Sequence, residues 1–264
     1  LEPATDICPT NQINGVSAKG CCEQIECLRK FNGEGSNFLR QVQKLCNKNG
    51  IVFVLDEMIT GFRWSLRGAQ HVFGVTPDLT TFGKAMANGY SVACVGGRRD
   101  IMELGSIDVP GQERTFLMSS THGAEMSSLG AFVKTLEFIS EHNVIGHCWD
   151  YGDRLRAGVS EIADDLGISN QFSLVGPSCS PVFVMKNQNN EPDLGFKTLF
   201  NQEMISNGVM MPWIALSFSH GETELDITLD ALRKSLNVYL KALNDGLGGL
   251  LKGDKIKPVF RKYN

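Results

Sequence analysis

Two side chains invite a chemical reading first. Asp56 stands near the end of the run Ile51 to Glu57 (IVFVLDE), and Lys84 ends the run Asp78 to Lys84 (DLTTFGK), 28 positions later. A carboxylate that ends a wholly apolar strand must be paired, solvated or functional. The carboxyl edge of an open α/β sheet is where ligands bind, because strand ends and loops are exposed there above a rigid base. A lysine amine and an aspartate at neighbouring strand ends suit pyridoxal phosphate. The amine forms the Schiff base, and the carboxylate keeps the ring nitrogen protonated so that the ring can accept electrons from a substrate carbanion. On spacing alone a structural ion pair, or a Lys84 that is simply at the surface, is the better reading.

These residues need elements to hold them. Ser36 is a suitable N-cap for a helix in which Leu39, Val42, Leu45 and Cys46 recur at helical spacing, with Gly50 to end it. A helix, a glycine turn and then a continuous apolar, β-branched run is the pattern of an α/β unit with a buried parallel sheet. Strand candidates follow at Asp78–Lys84 and Ser91–Gly97, the second after the turn dipeptide Asn88-Gly89. Helices are expected over Ser127–Ile139 and Val144–Ile162. In the second, Val144, Cys148, Tyr151, Leu155, Val159 and Ile162 are spaced 4, 3, 4, 4, 3. Past Gly167 the short runs FSLVG and SPVFVM read as strands, and Leu199–Ser206 reads as a helix. A last helix carries Leu225, Leu229, Leu232, Leu236, Leu240 and Leu243, with Ser219 and Glu222 at capping-box spacing ahead of it.

Composition narrows the function classes. The chain has 264 residues, 42% hydrophobic and 20% charged, enough to bury a sizeable core and unlike a disordered chain or a coiled coil. Lys+Arg 25 against Asp+Glu 29 leaves a net charge of −4, without the basic excess of a nucleic-acid binder. No apolar run reaches membrane-span length, and the first residues lack the pattern of a secretory signal, so the expected compartment is the cytoplasm. Four of the eight cysteines (Cys8, Cys21, Cys22, Cys27) fall in the first 27 residues, but no second pair follows at zinc-site spacing and the nearest histidine is His71. Reduced thiols and no metal site are the expectation.

The stretch LDEMITGFRWSLRGAQHVFGVTPDLTTFGKAMANGYSVACVGGRRDIME closely resembles the cofactor-binding region of the class III (ω-type) pyridoxal-phosphate aminotransferases. It is most similar to the glutamate-1-semialdehyde 2,1-aminomutase branch: Asp56-Glu57, Thr60-Gly61-Phe62-Arg63, Pro77-Asp78 and Gly83-Lys84 fall in that family's order. The resemblance implies the type I fold, an α/β fold with a seven-stranded, mainly parallel sheet in a large domain and a smaller C-terminal α+β domain. Residues 1–140 would be the C-terminal part of the large domain, 141–167 a connecting helix and 168–264 the small domain.

Carried over position by position, the resemblance makes Lys84 the Schiff-base lysine and Asp56 the partner of the pyridine nitrogen. Met58 stands where the family usually has a valine against the ring, and can fill that place less rigidly. Ser119-Ser120-Thr121-His122-Gly123 matches the segment whose threonine reaches the cofactor phosphate of a neighbouring subunit. Thr121 is thus implied in phosphate binding across a homodimer interface, although SSTHGAE equally suits a loop or a helix N-cap. Glu57 and Arg63 are expected only to brace the turn, and His147 and Trp149 to pack.

HGETELDITLDAL resembles the family's segment ahead of the last helix, and KIKPVFRKYN is similar to tails of aminotransferases in surface-polysaccharide or modified-sugar pathways. The opening Leu1-Glu2-Pro3, without a Met, reads as the middle of a longer protein, with the glycine/serine-rich phosphate turn and the ring-stacking aromatic expected upstream. Without those parts the sheet should expose a parallel edge and apolar faces.

The expected activity is transfer of an amino group between small-molecule donor and acceptor, as transaminase or aminomutase. Glutamate-1-semialdehyde or a keto-sugar is the suggested substrate. Two alternatives stay open: a non-catalytic fragment or interaction module of the same fold, and another pyridoxal-phosphate reaction such as racemisation or decarboxylation.

Overall fold

A computed structural model describes residues 37–108, 110, 111, 113, 123 and 125–257. The chain divides into two units, Leu1–His147 and Cys148–Asn264. Thr121, Ser36 and the cysteine-rich segment 8–27 lie outside the described residues.

In the first unit, helix α1 (Phe38–Asn49) is capped by Asn37, whose side chain accepts the Arg40 N–H at 3.0 Å. Gly50, in the left-handed conformation, ends it. The same Asn37 side chain donates to the Phe73 carbonyl at 2.8 Å, and Gln43 donates to the Thr76 carbonyl at 2.6 Å. These bonds fix α1 to the loop that leads into the sheet.

Strand β1 is Val54–Asp56, β2 is Leu79–Phe82 and β3 is Cys94–Gly97, in the order β1-β2-β3. β1 and β2 run parallel, with Asp56 opposite Thr81; β2 and β3 run antiparallel, with Phe82 opposite Cys94. All three strands are shorter than their apolar or β-branched runs suggest. β1 is also not buried throughout: Ile51 is 55% exposed, Val52 48% and Val54 50%, while Phe53 is buried. The reason is position, since β1 is an edge of the sheet among the described residues. At the opposite ends of the strands, Asp78 accepts the Phe53 N–H at 2.7 Å and pairs with Arg98 at 2.8 Å, and Arg98 also pairs with Asp100. One aspartate thereby stitches the entries of β1 and β2 to the exit of β3.

Helix α2 (Gly68–Phe73) lies in the β1–β2 connection, α3 (Arg99–Met102) follows β3, and α4 (Met126–His142) closes the unit. α4 begins one residue earlier and ends three later than the apolar spacing suggests. Helix α5 (Val144–Asp165) begins four residues before the unit boundary at His147/Cys148. Its expected inner face is buried from Cys148 through Tyr151, Leu155 and Val159 to Ile162, and Trp149 is fully buried beside it.

The second unit sets an antiparallel pair, β4 (Phe172–Val175) and β5 (Val182–Met185), against α6 (Leu194–Ser206) and α7 (Glu222–Asp245). α6 starts five residues before Leu199, because Asp193 caps it by accepting the Gly195 and Phe196 N–H groups at 2.7 and 3.2 Å. α7 starts at Glu222 rather than just after Ser219, with the Glu224 carboxylate accepting the Gly221 N–H at 2.8 Å. The core is aromatic: Phe172 lies 5.0 Å from Phe200 and 5.7 Å from Tyr239, and Phe196 lies 5.0 Å from Tyr239 between ring centroids. Leu232 and Leu236 of α7 are fully buried with it.

Among the described residues, no helix is long and apolar enough to cross a membrane and no cluster of ligating side chains could hold a metal ion.

Candidate active site

β1 and β2, being parallel, end at the same edge of the sheet, and their register delivers Asp56 and Lys84 to it. Lys84 is not the last strand residue. It lies two positions beyond Phe82 and begins a 3-10 turn, Lys84–Ala87, with φ +45°. A non-glycine residue in the left-handed region costs on the order of 1 kcal/mol or more, and such conformations gather at functional sites. The Lys84 side chain is exposed, so its amine meets solvent at the sheet edge.

The Asp56 carboxylate is held by one oxygen. Oδ1 accepts the Met58 N–H at 2.9 Å and the Thr81 hydroxyl at 3.0 Å. The Met58 N–H, then the Thr81 hydroxyl, with the positive charge of Lys84 adding to both, hold the carboxyl below the usual aspartate range. Asp56 is thus ionised at neutral pH, beside a lysine whose field it feels.

Met58 is half-buried, and its thioether end rests over Gly83. A Cβ at Gly83 would collide with the Met58 methyl, so the glycine lets the two segments close up next to Lys84. The turn after β1 is braced from beneath by Glu57, which is completely buried. Its Oε2 accepts the Thr60 hydroxyl at 2.5 Å and the Ala69 N–H at 2.7 Å, and its Oε1 accepts the Gln70 N–H at 2.7 Å. The last two are first-turn amides of α2, which lack partners within the helix, so Glu57 caps α2 from 12 and 13 residues away. In this turn Phe62 (φ +59°) lies 5.6 Å from Phe82, tilted, and 6.1 Å from Phe132, edge-on, between ring centroids. Trp64 lies 5.8 Å from Phe73.

The structure therefore brings together Asp56, Met58 and Lys84 from the expected set. Glu57 braces the turn as expected and also caps α2, while sequence reasoning missed Thr81. The β2 run carries two threonines near that edge, and the register sets Thr81, not Thr80, level with Asp56. The cap on α2 leaves a sign in Gly68, which holds φ +74° and has the Glu57 oxygens where a Cβ would stand.

The class-III aminotransferase family model matches residues 31–211, which takes in every residue of this site. The chain belongs to the class-III aminotransferases. Among its relatives, the glutamate-1-semialdehyde 2,1-aminomutase of Methanosarcina acetivorans is 31% identical over 209 residues, 75% of this chain and 48% of that protein. The 3-aminobutyryl-CoA aminotransferase of Cloacimonas acidaminovorans is also 31% identical over 209 residues, 78% of this chain and 48% of that protein. The chain thus spans about half the length of the curated class-III relatives it matches, 48% in both cases.

Among solved structures, the omega-transaminase of Sphaerobacter thermophilus superposes with a TM-score of 0.64 at 25% identity, over 80% of this chain and 48% of that one. The FumI protein of Sphingopyxis sp. MTA144, solved with PLP, gives 0.69 at 23% identity over 79% of this chain and 48% of that one. The fold is the type I fold of the pyridoxal-phosphate transaminases, and pyridoxal phosphate is the cofactor that this class-III membership implies. The residues present fit it: an exposed lysine amine, an ionised aspartate with its second oxygen, Oδ2, outside the bonds just described, and both at one open sheet edge.

Proposed function

We propose that this chain carries the lysine-bearing half of a pyridoxal-phosphate-dependent aminotransferase or aminomutase, which moves an amino group between small molecules. The observation that supports this reading most is that Lys84, two residues past β2, and the ionised Asp56, last in β1, stand at the same edge of two parallel strands. Bound pyridoxal phosphate supplies an electron sink for the substrate's α-carbon. The remaining work falls to the chain. Lys84 Nζ would be the covalent anchor for the cofactor and would hold or release a proton at the substrate's α-carbon. Asp56, ionised, would hold a proton on the ring nitrogen. Met58, whose thioether end rests over Gly83, would lie against the ring.

The relatives' names, an aminomutase acting on glutamate-1-semialdehyde and an aminotransferase acting on 3-aminobutyryl-CoA, support small amino and carbonyl compounds as substrate class. We read Leu1–His147 as part of the cofactor-binding domain and Cys148–Asn264 as the smaller C-terminal domain, following the division of the chain. Thr121, outside the described residues, is proposed to reach the cofactor phosphate of the partner in a homodimer, and the cytoplasm is proposed as the compartment.

The test is chemical. Pyridoxal phosphate is added to the purified chain, the adduct is reduced with borohydride, and the modified lysine is mapped by mass spectrometry. A single stoichiometric label on Lys84, lost in Lys84→Ala, is expected. Label scattered over several lysines, or unchanged in Lys84→Ala, would remove the assignment.

A further inference from the structure

We propose that Thr81 is a positioning residue for Asp56: its hydroxyl and the Met58 N–H together occupy Oδ1 and so reserve Oδ2 for the protonated ring nitrogen. This rests on the reading of Asp56 given above. The geometry carries it in three steps.

First, Asp56 and Thr81 are register partners on parallel strands, so their side chains leave the sheet on the same face, side by side. The neighbouring Thr80 is buried on the other face at 5% exposure, and a one-residue slip of β2 would exchange the two. The hydroxyl is therefore delivered to the carboxylate by the fold itself.

Second, both donors land on the same oxygen, at 2.9 and 3.0 Å. A carboxyl group turns easily about its last torsion, where the preference is broad and roughly two-fold. One donor would act as a hinge pin and leave the plane free. Two donors from different directions, one in the turn after β1 and one on β2, fix that plane. Third, the pin is itself stiff. Threonine is β-branched and restricted at χ1, and the Met58 amide belongs to the turn that Glu57 braces from below. The positive charge of Lys84 acts on the same carboxylate, after the two hydrogen bonds.

The test uses Thr81→Val, which replaces the hydroxyl by a methyl of the same shape, and Thr81→Ser, which restores it. Each is made in the parent chain and in Asp56→Asn. In the cofactor-free chain, the Asp56 carboxyl carbon is followed by NMR through an acid titration. Thr81→Val is expected to make this carboxyl bind its proton about tenfold more tightly, the effect of one lost hydrogen bond to a charged group, and Thr81→Ser to return it to the parent value.

The chain is then loaded with pyridoxal phosphate carrying 15N in the ring. The ring-nitrogen signal should move toward the unprotonated position in Thr81→Val, remain in place in Thr81→Ser, and move no further when Thr81→Val is added to Asp56→Asn. An Asp56 titration unchanged by Thr81→Val, or an equal ring-nitrogen shift in the Asp56→Asn background, would overturn the proposal. If the parent's ring nitrogen were itself unprotonated, the cofactor reading would fall, while the cofactor-free titration would still decide whether Thr81 holds Asp56.

Discussion

The Glu57 carboxylate occupies the space that a side chain at position 68 would need: a Cβ built on Gly68 would stand 2.5 Å from Glu57 Oε1 and 2.7 Å from Oε2. Ordinarily the tip of a glutamate can move aside. Here it cannot do so freely, because it is fully buried and tied to Thr60, Ala69 and Gln70. Gly68 also has φ +74°, where a side chain is strained whatever the room. Gly68→Ala should therefore cost about 2 kcal/mol or more of stability, which a urea unfolding curve would read as a lower midpoint. An unchanged midpoint would mean that the Glu57 brace is loose.

Asp56→Asn keeps the shape of the side chain and its acceptor for Met58 and Thr81 but removes the charge. Cofactor affinity should fall modestly, since attachment at Lys84 remains. Turnover, measured with any accepted amino donor, should fall by orders of magnitude, on the scale of about 10³-fold, as for loss of a major electrostatic contribution. Equal turnover in the variant would dismiss the role given to Asp56.

The stitch at the other end of the strands predicts an acid dependence of stability. The Arg98 guanidinium first, and the Phe53 N–H second, hold the Asp78 carboxyl below the usual aspartate range. The folded-state value is depressed relative to the unfolded one. Its contribution is therefore complete above the ordinary aspartate range and disappears as the pH falls through the lowered value. Asp78→Asn should be less stable than the parent at neutral pH, and the two should converge in strong acid. Thermal unfolding across that range checks it; parallel curves would contradict it.

In the second unit, the Tyr239 hydroxyl donates to the Lys186 carbonyl at 2.6 Å, and burial pushes the phenol well above its ordinary value. Tyr239→Phe should cost about 1 kcal/mol, the worth of one buried neutral hydrogen bond. The sign in alkali follows from the raised value: the folded state keeps the proton after the unfolded chain has lost it. Stability should thus fall with rising pH above the ordinary tyrosine range in the parent, and less steeply in the variant. Identical alkaline profiles would show that Tyr239 titrates normally.

Much of this architecture was legible from the residues because it depends on local periodicity. The buried stripe from Cys148 to Ile162 and the leucine stripe ending α7 are one-face patterns that hold wherever the helix packs. Asp56 and Lys84 could be placed on one edge because two short strand candidates with a crossover between them favour parallel pairing.

What could not be read depends on contacts between distant residues. β1 is half-exposed although its sequence is that of a buried strand, because burial depends on neighbours that the run itself does not specify. The antiparallel direction of β3 follows from how the chain turns between Lys84 and Ala93. Glu57 meets α2 across more than ten residues, and the helix caps fall at Asp193 and Gly221 rather than beside the nearest leucine or serine.

Lys84 holds a backbone shape that glycine or asparagine would adopt with less strain. Folding alone would therefore reward its replacement: a Gly or Asn at this position should give a sturdier, inert protein. The strain at Lys84 sits beside that of Phe62 in the turn after β1, so the backbone around this sheet edge stores strain at two side chains at once.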